Sequence, residues 1–322
     1  MKFRTEVSIE GKEKKIGTED KVFTMGSCFA QEITQLLEKG QLLTLNNPFG
    51  TLFNPVAINT ALSRIHKANH YKQEDLVSYD NTVLSLDHHS SFNTSFAHLT
   101  LEKINEEIER ANAFLQSSKW VILTYGSSFA YEFLPKKQLV GNCHKIPGKF
   151  FKKHLLGIED QKKAINETIE ILKDICPGDV EILITVSPVR HTRDGIVENQ
   201  RSKANLLSAV HDVIEQHENV HYLPIYEIMM DDLRDYRFYK ADMIHPSDQA
   251  ISYIFEKFGS AYFSEKTMDF VEENFKIQQM ISHKSKDRTS ADYVAFRKKI
   301  SERIELQQNN VSHKIFTNYS ND

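Results

Sequence analysis

The stretch Val22-Phe23-Thr24-Met25-Gly26-Ser27-Cys28-Phe29-Ala30 reads as a short buried strand that turns sharply into a helix. Residues 22–25 are an apolar run, Gly26 permits a tight backbone turn, and 31–38 continue with helical spacing. Four further apolar runs follow, at 42–45, 120–125, 180–186 and 220–225. All five are continuous rather than alternating, which predicts strands covered on both faces, as in parallel sheets. Between them apolar residues recur at helical spacing: Ile58, Ala61, Leu62 and Ile65; Ile104, Ile108 and Leu115; Ile165, Ile169 and Leu172; Val210, Val213 and Ile214; Ile251, Ile254, Phe255 and Phe258. This alternation predicts a doubly wound, three-layer α/β/α fold of flavodoxin-like type. Its five-stranded parallel sheet should have the order 2-1-3-4-5.

Two segments depart from the rhythm. Residues 69–100 are polar and rich in Ser, Asn, Asp and His, which predicts a long loop or insertion. Beyond 263, Met268, Val271 and Phe275, then Tyr293, Phe296, Ile300 and Ile304, have helical spacing in a charged background. The expected organisation is a main domain over 1–263 that carries the insertion, and a helical extension over 264–322. That extension either covers the chain's own core or pairs with a second copy to give a homodimer. Residues from 312 on read as a frayed end.

Composition narrows the function classes. The 322 residues carry a formal net charge of -4, with acidic and basic side chains interspersed, which argues against a general nucleic-acid binder. No window approaches the ~20 apolar residues of a membrane helix. Cys28, Cys143 and Cys176 are an odd set without paired spacing and fit a reducing compartment. With no apolar leader after Met1, the expectation is a cytoplasmic protein.

The polar motifs fall where strands end, the rim at which open α/β sheets bind ligands. Ser27 follows the first strand and is the expected nucleophile, helped by the N-terminus of the helix after it. Asp242 and His245, in Asp-Met-Ile-His-Pro, supply a base and the carboxylate that orients it. Asn47, Ser127, Arg190 and His191 lie at other strand ends, Lys203 stands further along the chain, and His88, His144 and Lys145 lie in loops or following segments. All eight are expected to bind substrate, with Arg190, His191 and Lys203 facing an anionic or strongly polar group. Cys28 is read as packed inward. Asp87, His88, His89 and His144 are a weak metal set, and no nucleotide motif follows a strand, so no metal or cofactor is expected.

Gly26-Ser27-Cys28-Phe29-Ala30 also resembles the signature of the GSCFA-domain family, which is similar to the GDSL/SGNH esterases and lipases. Asn142-Cys143-His144-Lys145, Ser187-Pro188-Val189-Arg190-His191 and Asp242-Met243-Ile244-His245-Pro246 match the same family in the same order. The resemblance implies a serine hydrolase acting on esters, with Ser27, His245 and Asp242 as its triad. It also implies an oxyanion hole from the Ser27 N–H, the Gly50 N–H and an asparagine. The third strand ends Tyr125-Gly126-Ser127-Ser128, where SGNH enzymes show Gly-x-Asn, so Asn142 is the expected replacement. The polar rim points to a small, acetyl-like ester of a polar or carbohydrate alcohol. The alternatives are a non-hydrolytic binding module or an acyltransferase-like protein using the same rim, and a metal-dependent hydrolase built on the His88 cluster.

Overall fold

The computed structural model describes residues 4–283 and 290–319. Five strands form one parallel sheet: β1 (Lys21–Gly26), β2 (Thr44–Asn46), β3 (Ser118–Tyr125), β4 (Glu181–Val186) and β5 (Val220–Tyr222). Their spatial order is β2-β1-β3-β4-β5, as the alternation predicts. The strands read as continuous apolar runs because both faces are buried. Val22, Trp120, Ile122 and Leu183 face one layer, while Phe23, Met25, Val121 and Ile184 face the other.

The second face carries α2 (Pro55–His66), α3 (Ala97–Leu115), α4 (Ile158–Ile175) and α5 (Ile196–Ile214). The first face carries α1 (Cys28–Lys39) and α6 (Asp248–Tyr262). Two more helices, α7 (Glu265–Ser282) and α8 (Ala291–Gln308), pack on that same layer through Phe270, Val271, Ile277 and Ile300. The C-terminal helices thus share one core with Phe29, Ile33 and Leu37 of α1. Residues 312–319, expected to be frayed, are packed: Ile315 and Phe316 are buried, and the Ser312 N–H donates to Glu19 Oε1, while 320–322 lie outside the described residues.

The polar segment at 69–100 is partly ordered into a hairpin, Val77–Tyr79 with Thr82–Leu84, and α3 already begins within it. A second feature has no counterpart in the sequence reading. Phe129–Phe133, Gln138–Val140 and Phe151–Leu155 form a small antiparallel sheet after β3. With the hairpin it encloses a satellite core around Leu84, Leu86 and Phe133.

Candidate active site

The turn from β1 into α1 is forced by Gly26. Its φ is +146°, and a Cβ there would run into the Thr124 carbonyl oxygen on β3. The Ser27 N–H donates to the same carbonyl at 3.0 Å, locking the turn against the neighbouring strand. Ser27 is the residue before the helix, and Cys28 is its first residue.

One residue of phase decides which side chain reaches the base. Ser27 Oγ is buried with no hydrogen-bond partner, and Ser27 Cβ packs towards Gly126. Cys28 Sγ lies 3.7 Å from His245 Nε2. On the other side of the ring, His245 Nδ1 is 2.7 Å from Asp242 Oδ2. A carboxylate only accepts, so Nδ1 carries the proton and Nε2 presents its lone pair to the thiol. In this geometry His245 meets the Cys28 sulfur and the Asp242 carboxylate, while the expected Ser27 hydroxyl makes no hydrogen bond to it.

The loop bearing the pair is held from two directions. Asp242 Oδ1 accepts the N–H groups of Ile244 (2.8 Å) and His245 (3.0 Å). With the His245 hydrogen bond as the largest cause, these hold the Asp242 carboxyl well below the usual carboxylate range. Arg190 Nη1 donates to the Met243 carbonyl at 2.9 Å, and its backbone N–H to that of Ile244. The guanidinium lies near the Tyr236 and Tyr239 rings. Arg190 thus props the His245 loop, and its guanidinium is already engaged there.

Lys203 and His191 are likewise turned into the protein. Lys203 is 1% exposed, and its Nζ donates to the Gly126 and Ser187 carbonyls, both at 2.6 Å. Burial pushes its pKa down to about 7, opposed by the nearby Cys28 thiol. His191 Nε2 donates to the Gly126 carbonyl at 2.8 Å, and burial followed by the Lys203 charge lowers it to about 4. Ser127 is buried, with its Oγ accepting the Phe129 N–H. These residues stitch the ends of β3, β4 and α5 beneath the rim.

Cys28 is mostly buried, and burial raises its thiol pKa. The backbone N–H groups of Cys28 and Phe29 and the Lys203 charge pull the other way, while Glu32 adds to the rise.

The expected oxyanion donors are spoken for. The Ser27 N–H is used by Thr124, and the Gly50 N–H donates to the Asn47 carbonyl at 2.7 Å. Gly50 serves the backbone instead, with φ +75° and no room for a Cβ beside His89. Asn142 Oδ1 accepts the His144 N–H within the satellite sheet region. The side chain of Asn47 is hydrogen-bonded through its oxygen alone. Its Oδ1 accepts the Gly26 N–H at 2.7 Å, and its Nδ2 is buried with no partner. Buried donors are rarely left open without a reason.

The remaining expected contacts lie in the packing. His88 is fully buried and stacked on Phe49 at 4.0 Å, with Nδ1 on Ser85 Oγ, and burial lowers it to about 3. His144 Nε2 donates to the Ser85 carbonyl, and Asp87 accepts from Tyr71 Oη. Lys145 is on the surface. Among the described residues no three His, Cys, Asp or Glu side chains are grouped to hold a metal.

The parallel 2-1-3-4-5 sheet, with a thiol, imidazole and carboxylate in series at its carboxyl edge, makes this a doubly wound α/β/α protein. The chain belongs to the GSCFA family, whose profile matches residues 21–258. Solved structures that resemble it include a carbohydrate esterase family 3 protein from Talaromyces cellulolyticus, with 8% identity over 79% of this chain and 99% of that one (TM-score 0.37). A DUF4886 family protein from Bacteroides uniformis ATCC 8492 aligns at 11% identity over 94% of this chain and 100% of that one (TM-score 0.40). No curated protein matches the sequence. No described helix is long and apolar enough to cross a membrane.

Proposed function

We propose that this protein is an acyl hydrolase that works through Cys28, His245 and Asp242. The observation that carries the reading is the 3.7 Å approach of Cys28 Sγ to His245 Nε2, with Asp242 fixing the far side of the ring. His245 takes the thiol proton as the sulfur attacks the acyl carbonyl. The carbonyl oxygen gains the negative charge, and two donors at this turn would take it. They are the Cys28 N–H, which as the first of α1 has no acceptor in its own helix, and Asn47 Nδ2. The bond to the leaving group breaks, and the leaving group takes the proton back from His245. A thioester remains on Cys28. Water then gives its proton to His245 and attacks the thioester, the C–S bond breaks, and the sulfur recovers the proton. A second alcohol or thiol in place of water would make the same site an acyltransferase.

Mass mapping after exposure to an activated ester or thioester tests this. An acyl adduct on the Cys28 peptide that persists in Ser27→Ala and is lost in Cys28→Ala supports it. Labelling of Ser27 by a fluorophosphonate, with Cys28 untouched, would return the nucleophile to the hydroxyl.

A further inference from the structure

Next to the loop that carries Asp242 and His245 lies a cavity of about 310 Å³, between the turn after β4, the start of α5 and the segment after β5. Its deep wall is apolar and pliable, with Val189, Met229, Met230 and Leu233, and Tyr226 and Tyr239 flank it. Two of its lining residues reach the catalytic loop. Arg190 binds the Met243 carbonyl, and Tyr239 pairs with Pro246, next to His245. A third, Lys203, lies close enough to Cys28 for each to shift the other's proton affinity. Two of its lining residues, Ile196 (45%) and Tyr236 (66%), stand exposed, as do Val197 (79%), next in the chain to Ile196, and Met243 (46%), whose carbonyl Arg190 binds. Exposed apolar groups clustered at one place mark a binding site more often than chance placement does. The cationic groups that would have favoured a small polar acyl group are already bound to protein carbonyls.

We infer that this cavity holds the acyl side of the substrate and selects an unbranched apolar chain longer than acetyl. The proposal rests on the Cys28 reading for its chemistry and on the cavity alone for its specificity. Each methylene buried in it should add about fourfold to the preference until the chain reaches the end wall.

Two measurements separate these dependencies. The first is the rate at which acetyl, butanoyl and octanoyl thioesters of one small thiol acylate Cys28, in the wild type and in Met230→Trp. The expected result is a steep rise with chain length, tenfold or more from acetyl to octanoyl, that Met230→Trp flattens. An octanoyl oxygen ester run alongside shows whether the chain, rather than the leaving group, is what is read. The second is calorimetric binding of an unreactive octanoyl ketone to Cys28→Ala, again with and without Met230→Trp. Binding that Met230→Trp abolishes, even if no acyl-enzyme forms, upholds the cavity and sinks only the nucleophile. Equal rates across chain lengths together with no ketone binding overturn the proposal. So does a chain preference, or ketone binding, that Met230→Trp leaves unmoved with the variant folded by circular dichroism.

Discussion

Cys28 Sγ faces His245 Nε2 across 3.7 Å, while the neighbouring Ser27 Oγ is buried with no partner at all. The two side chains are one residue apart at the start of a helix, where one residue turns the direction by about 100°. Ser27 still has extended backbone, and Cys28 has entered α1, so only the thiol swings over the rim. Cys28→Ala should lose acyl turnover by about a thousandfold or more, in line with removal of other catalytic nucleophiles. Ser27→Ala should keep it within a few-fold. Steady-state kinetics on one activated thioester, with folding checked by circular dichroism, reads both.

Asp242 has two duties that one substitution can part. Oδ1 shapes the loop through two backbone N–H groups, and Oδ2 holds the His245 ring. Asp242→Asn can keep the first and loses the charge that the second needs. The expected result is a fall in kcat of about 10²–10⁴ with little change in KM, since tautomer and imidazolium stabilisation are lost while the pocket stays. Because its hydrogen bonds depress the Asp242 carboxyl, it stays ionised well into acid. The acid limb of the wild-type rate profile should therefore not report Asp242.

Asn47 offers a cleaner separation of structure from chemistry. Asn47→Asp keeps an oxygen to accept the Gly26 N–H but has no N–H to give an oxyanion. Loss of one such donor costs about 10²–10³ in kcat. Asn47→Asp should show this loss with a near-native melting temperature, whereas Asn47→Leu should lose both. A kcat for Asn47→Asp within threefold of wild type would remove Asn47 from the oxyanion site.

The sheet was legible because its strands are buried on both faces and leave unbroken apolar runs. The antiparallel sheet at 129–155 was not. Its strands are short, mostly half-exposed and mixed with Lys, Glu and Gln, so no run announces them. Asp242 and His245 were visible as a spaced pair, but the phase of the Ser27-Cys28 turn depends on where the helix begins. Lys203 misled through its residue type, since a lysine near Arg190 and His191 suggests an exposed cation. Its position carried the true signal. Asn199, Ser202, Leu206, Val210 and Val213 line the buried face of α5, and Lys203 falls within that stripe.

The C-terminal helices should be inseparable from the domain. Asn274 Nδ2 donates to the Gly40 carbonyl at 2.9 Å, capping the end of α1, and Val271 packs against Gly40. A chain ended after Phe263 exposes the apolar layer shared by Phe29, Ile33, Phe270 and Ile277. It should be recovered as aggregate, or melt at least 10 °C lower, in a thermal scan. A soluble truncated chain with an unchanged midpoint would make 264–319 an accessory rather than part of the core.

Lys203 ties stability to pH in a direction opposite to that of an ordinary ion-paired lysine. Its folded pKa is about 7 and its ordinary value is 10.5. Below about pH 7 both folded and unfolded chains hold the proton, so Lys203 adds no slope there and burial of its charge weighs on the folded state. Between about 7 and 10.5 the unfolded chain keeps a proton that the folded chain has released. Stability from this group therefore rises with pH across that window, by up to about 1.4 kcal/mol per unit. Two carbonyl acceptors match the two N–H groups of a neutral amine, so deprotonation need break neither hydrogen bond. Lys203→Met removes the titration. Denaturant midpoints measured from pH 6 to 10 should show wild type gaining on Lys203→Met only above pH 7. A constant difference across the range would mean that Lys203 stays charged in its buried site.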